Sequence, residues 1–367
     1  MVKKIFFIFL LFSGMVAFFL ATGPDHPYPY ELKDIYYEDL KQAGDADILI
    51  IGDRMGEKLT DYVLPVIEKT AGKFKEKLKL HNWSRSREGM HRTLNKLKSL
   101  KRWPVLIIYH GASEEFYEKR ASIQYHQKIL KNLEYLENDL LYSLVATIPI
   151  ISRLIYHSTQ KINLEKFILP NEKNYTSVEK QIQMEIIYKL YQHELNQLIK
   201  LVFDNKSRLV LLTTPLNLTL PPGKVCRNSI TKSVTGEQKK ITAYLEEQAY
   251  QKAYALSQAL IKKSIGNARS FYLASRAANN LGKHKQARDY GNMATAFDCK
   301  TWRSNAVFNA IIQKAALGQQ IPLLDFNYLV NRRIKERSFT DNLFPAEDYY
   351  LQLAKDIEAV SLQQLKL

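Results

Sequence analysis

Cysteine is nearly absent: Cys226 and Cys299 are the only two in 367 residues. One distant pair cannot supply the spaced ligands of a cysteine metal site, and the sequence implies no cofactor. The pair leaves open one disulfide, which an oxidising exterior would favour, or two thiols. Negative charge is also scarce. Against 53 lysines and arginines stand 37 acidic residues, a formal net charge of +16. Such a balance points to anionic neighbours: nucleic acid, lipid headgroups or acidic glycans. Apolar residues are not lacking. They make up 46%, which argues against disorder for most of the chain. The length suits one large domain or two smaller ones with a substantial core.

The N-terminus narrows the partners. Lys3 and Lys4 precede an uncharged apolar run from Ile5 to Ala21, the pattern of an export signal or signal anchor. The run is slightly short of the ~20 residues that span a bilayer. A good cleavage site is missing, because Pro24 follows the small residues Ala21-Thr22-Gly23. The expectation is an uncleaved anchor over 1–23, with a removed signal peptide as the alternative, and a linker over 24–44. Everything after Ala21 then lies outside the cytoplasm, at the cell membrane, or is secreted if the signal is cleaved. Nucleic acid drops out as a partner. Phospholipid or an acidic polymer remains, with solvated surface lysine as the plainer account.

Beyond the linker, apolar runs alternate with helical stretches, which predicts a β-α-β-α order and a mostly parallel sheet. The expected strands are Asp47 to Ile51, Lys77 to His81, Pro104 to Tyr109, Arg208 to Thr214 and Pro322 to Phe326. An α/β domain would thus comprise 45–113, 207–234 and 318–367, interrupted by helical inserts at 114–206 and 235–317. The first insert contains LLYSLVATIPIISRLIY, which reads as a buried, Pro149-kinked helix or as a surface docking on membrane. The second contains ARSFYLASRAANNLGKHKQARDYGNMATAFD, which resembles a tetratricopeptide repeat. Ala274, Ala277 and Ala278 before Gly282, and Ala287 and Ala294 after it, place small residues where two helices approach closely. About one and a half repeats are covered, too few to stand alone, so a protein partner or the α/β domain must cover them. A generic helical hairpin is the simpler alternative.

The first strand ends in Gly52-Asp53-Arg54. With LHNWSRSREG at 80–89, YHGASE at 109–114 and SFTDNLFPAEDYYLQLAKDI near the end, it makes four short blocks in an order that resembles the SGNH (GDSL-type) hydrolases. The resemblance spans about 45–113, 207–222 and 320–358 and implies a three-layer, flavodoxin-like parallel sheet. In that family a serine follows Gly-Asp, a glycine and an asparagine supply the oxyanion hole, and a late Asp-x-x-His supplies the base. In this chain Gly52, Asp53, Gly111, Asp341 and Pro345 match. Arg54 stands in place of the serine, Ser113 of the asparagine and Phe344 of the histidine, and Arg87 falls nearest the place of the oxyanion glycine. Asn82 matches a common asparagine.

The resemblance therefore implies a hydrolase frame without its nucleophile and base, whose loss alone would cost orders of magnitude in rate. Three readings stay open. The first is a membrane-tethered, inactive protein that binds a partner or an anionic envelope ligand, with Asp53, Arg54, Arg87, His110, Gly111, Ser113 and Asp341 as the candidate ligand-binding set. Arg54, at a helix N-terminus, would meet the anion, unless it pairs internally with Asp341 or Glu114. The second is an active esterase or acyltransferase on envelope polymers, using Ser84, Ser86 or Ser113 with His81 or His110. The third is a helical-repeat scaffold that binds through the face around His284 and Arg288. Anchored relatives that serve envelope polymer acylation suggest cell-envelope biogenesis as the setting.

Overall fold

The expected strands pair into one parallel sheet in the order β2-β1-β3-β4-β5. The computed structural model describes residues 39–71, 78–118, 176–223, 232–300 and 303–365. All belong to one unit, Ile35–Lys119 with Tyr175–Leu367. The anchor over 1–23, most of the linker and the apolar segment 140–156 lie outside the described residues. No helix among the described residues is long and apolar enough to cross a membrane.

In chain order the elements are α1 (Leu40–Asp45), β1 (Ile48–Gly52), α2 (Arg54–Glu57), α3 (Thr60–Ala71), β2 (Leu80–Asn82), α4 (Met90–Lys98), β3 (Leu106–His110), α5 (Glu115–Glu118), α6 (Ser177–Asp204) and β4 (Arg208–Leu212). There follow α7 (Lys232–Glu246), α8 (Tyr250–Lys263), α9 (Ala268–Asn280), α10 (His284–Ala296), α11 (Ala306–Gly318), β5 (Leu323–Leu324), α12 (Phe326–Asn331) and α13 (Glu347–Leu365). The strands begin within three residues of expectation, and β2 and β5 are shorter than the apolar pattern suggested.

β1 and β3 are buried along their whole length, as a parallel sheet covered on both faces requires. Period-two alternation divides their side chains. Leu49, Ile51, Ile107, Tyr109, Leu209 and Leu211 face a layer built from α4, α6 and α11. Ile48, Ile50, Leu106, Ile108, Val210 and Leu212 face α3, α12 and α13. The result is three layers. α6 and α11, which sequence alone assigns to the inserts at 114–206 and 235–317, pack directly on the sheet through residues such as Tyr191, Leu198, Phe308 and Ile312. Their apolar stripes, not their place between strands, decided where they lie.

Helices α7 to α10 carry a separate core of Ile241, Tyr254, Leu260, Phe271, Ala277, Ala278 and Ala287. Gly282 sits in the short α9–α10 turn with φ +71, a left-handed conformation that glycine adopts without a Cβ penalty. Cys299 is disulfide-bonded, and Cys226 is the only other cysteine in the sequence.

Candidate functional site

The order 2-1-3-4-5 has one topological switch. The chain leaves β1 for β2 on one side and then crosses back to β3 on the other. The loops after β1 and β3 leave the sheet at this point, and ligands of open α/β sheets bind beside such a switch. Here the two loops are Gly52-Asp53-Arg54 and His110-Gly111-Ala112-Ser113-Glu114.

The loops are in close backbone contact. Gly52 has φ +140, and a Cβ built there would lie 2.0 Å from the His110 carbonyl oxygen, so only glycine fits. Asp53 caps α2 by accepting from the Met55 N–H at 2.9 Å. Its other oxygen accepts from the N–H groups of Ser113 at 2.5 Å and Glu114 at 3.1 Å. One carboxylate, 1% exposed, therefore holds two loops 60 residues apart in sequence. Burial pushes its pKa up, while the N–H groups of Met55 and Ser113 and the charge of Arg54 oppose that shift. Ala112 takes φ +74 in the same loop, a left-handed conformation that costs a non-glycine residue about 1–3 kcal/mol.

Arg54 does not project free into the crevice. Its Nε lies 3.0 Å from Glu114 Oε1 and donates to Ser113 Oγ at 3.3 Å. The side chains are 22% and 7% exposed. Of the two internal partners the sequence offered, Glu114 and Asp341, Glu114 takes the guanidinium. An anion arriving here would compete with a carboxylate already in place.

The other candidates disperse. Arg87, with φ +69, is exposed and places its guanidinium over the Tyr117 ring at 5.8 Å; no hydrogen bond joins it to Arg54. Asp341 is exposed and accepts from the Leu343 and Phe344 N–H groups, each at 2.7 Å. It caps its own turn, and the Phe344 carbonyl accepts from Thr340 N–H at 2.9 Å. Gly111 is anchored through its carbonyl, which accepts from Thr214 Oγ1.

His110 points to the opposite face of the sheet from Tyr109. Its ring is fully buried, edge-on to Phe326 at 5.9 Å, and neither ring nitrogen has a hydrogen-bond partner. Burial alone lowers its pKa to about 3. A ring whose basicity burial has weakened, with no hydroxyl in hydrogen-bond reach, is a poor general base. The candidate serines are no better placed. Ser113 Oγ accepts from Arg54, Ser86 Oγ donates to Glu57 Oε2 at 2.5 Å, and Ser84 Oγ is buried without a partner. None hydrogen-bonds a histidine ring.

No protein-family model matches this chain, and no curated protein does. Among solved structures it is similar to a presumed acylhydrolase from Bacteroides fragilis NCTC 9343, at 10% identity and TM-score 0.41, over 90% of this chain and 97% of that one. It is also similar to a GDSL-like lipase from Bacteroides thetaiotaomicron VPI-5482, at 10% identity and TM-score 0.39, over 92% and 98%. Scores this low carry no inference about the site. The mixed α/β architecture rests on this chain's own strand order.

Sequence reading missed the acidic residues that brace the site from behind. The cap position before α4 is Gly89, which has no side chain to cap the helix. Glu118 does so instead, accepting from the N–H groups of Gly89, His91 and Arg92 at 3.0–3.1 Å, and Glu115 accepts from Met90 at 2.9 Å. Both carboxylates are buried and face the positive end of the helix dipole. The one available signal was the run Glu114-Glu115-Phe116-Tyr117-Glu118, too acidic for an ordinary solvated turn directly after a buried strand. The loop after β4 was equally hidden. Its backbone is satisfied by Asn309, which bonds both the N–H and carbonyl of Thr214, and by Asn327 and Asn331 on Leu216.

Proposed function

We propose that this chain is a membrane-tethered, hydrolase-like protein that has no ester-hydrolase chemistry of its own and works by binding, in the cell envelope. The observation that carries the reading is the Arg54–Glu114 ion pair with Ser113 at the switch point of the sheet. A guanidinium cannot be a nucleophile, and here it fills the place a nucleophile would need. The neutral, enclosed His110 and the absence of any serine–histidine hydrogen bond among the candidates support the same conclusion. The tether rests on Lys3, Lys4 and the apolar run to Ala21. Helices α7 to α10, with their own core, are the partner-binding element of this reading.

Full-length protein in detergent should neither turn over p-nitrophenyl acetate nor be labelled by a fluorophosphonate above the level of a heat-unfolded sample. A stoichiometrically labelled serine would overturn the reading, and its position would name the nucleophile.

A further inference from the structure

Two segments distant in sequence bring their positive charge together beside the helical region. The α9–α10 turn and the start of α10 carry Lys283, Lys285 and Arg288. The loop after α12 carries Arg332, Arg333 and Lys335. Direct contacts join them: Arg288 Nη1 donates to the Arg332 carbonyl at 3.0 Å, and Asn279 Nδ2 donates to the Ile334 carbonyl at 3.0 Å. Ile334 packs onto the core of the helical region. The six cations have two carboxylates in the same segments, Asp289 and Glu336, and none of the six forms an ion pair among the described residues. Like charges on one surface repel one another, and an anionic partner would relieve that repulsion.

The patch also has an aromatic floor. Arg288 lies over the ring of Tyr328 at 4.8 Å, and Tyr328 remains 49% exposed. Lys283 lies over Tyr254 at 4.1 Å. Long cationic side chains around a half-exposed tyrosine suit the boundary between headgroups and water, where ring and stem meet apolar surface and the charge meets phosphate. Clusters of about four to eight basic residues are enough to hold a protein on an anionic bilayer. We infer that this patch, formed by the α9–α10 turn and the 332–335 loop, docks on an anionic phospholipid surface. The choice of lipid over a soluble acidic polymer rests on the exposed tyrosine and on the tether of the proposed function. On such a tether, docking would fix the orientation of the crevice relative to the bilayer.

The test is lysine footprinting of the full chain on vesicles of phosphatidylcholine alone and of phosphatidylcholine with phosphatidylglycerol. On the anionic vesicles, acetylation of Lys285 and Lys335 should slow by about fivefold or more and recover in high salt, while Lys101 and Lys206, exposed elsewhere, keep their rates. The triple substitution Arg332→Glu, Arg333→Glu, Lys335→Glu should abolish the protection of Lys285. Unchanged rates on anionic vesicles would overturn the docking. Equal or stronger protection by soluble polyphosphate without vesicles would assign the patch to an acidic polymer and overturn the lipid. Failure of the chain to associate with neutral vesicles would count against the tether alone, because Lys285 protection by phosphatidylglycerol is read separately.

Discussion

Asp53 follows β1 and Asp341 precedes α13, and the two carboxylates are held in opposite ways. Asp53 is buried and accepts from backbone on both sides of the crevice, across 60 residues of sequence. The Asp341 carboxylate belongs to an exposed residue and accepts from the N–H groups two and three positions ahead. The first joins two strands of the sheet; the second shapes a turn. The same side chain thus serves one region by joining distant loops and the other by closing a local turn.

The contrast should appear as a graded series of losses. Asp53→Ala leaves up to three buried N–H groups without an acceptor and is expected to cost about 3–5 kcal/mol, read as a large drop in urea midpoint or as failure to fold. Gly52→Ala drives a methyl group onto the His110 carbonyl and should cost about 3 kcal/mol or more. Should it be silent in thermal unfolding, the close contact of the two loops is wrong.

His110 gives the pH test. Its folded pKa of about 3 lies below its ordinary 6.5, so between those values the unfolded chain binds a proton that the folded chain does not. Stability is fully present above pH 6.5 and falls by about 1.4 kcal/mol per unit as the pH is lowered. Going from pH 6.5 to 5 should cost about 2 kcal/mol. His110→Phe should remove that share of the dependence while staying within about 1 kcal/mol of the parent at pH 8. An unchanged slope in denaturant titrations would show the ring to be accessible to water.

The Arg54–Glu114 pair is partly exposed. A double-mutant cycle with Arg54→Ala and Glu114→Gln should give a coupling of about 1 kcal/mol, shrinking in salt. Zero coupling would return Arg54 to the role of a free anion receptor. Smallest is Asp341→Ala, at or below about 1 kcal/mol, since water can replace an exposed turn acceptor. An effect as large as that of Asp53→Ala would erase the contrast.

Much of the fold was legible because burial on two faces writes a simple code. The runs Ile48 to Ile51 and Leu106 to Tyr109 are apolar without alternation, as strands covered by helices on both sides must be. The α9–α10 hairpin was legible from its small residues and Gly282. That α6 and α11 pack on the sheet was not legible, because chain order says nothing about which surface an apolar stripe covers. The candidate site was legible only in part. Asp53, Arg54, Gly111 and Ser113 do meet, because they end neighbouring strands. Arg87, His110 and Asp341 do not join them, since the direction of a side chain depends on φ, on sheet face and on local turns.

By itself, the sequence determined the alternation of strands and helices and the excess of positive charge. These are properties of composition and periodicity, and each position carries its own record of them. Tertiary structure alone decided that Glu114 neutralises Arg54, that Glu115 and Glu118 cap a helix lacking its own cap, and that Arg288 meets the Arg332 carbonyl. Such pairings depend on distances between residues far apart in the chain, and those distances exist only once the strands have chosen their neighbours.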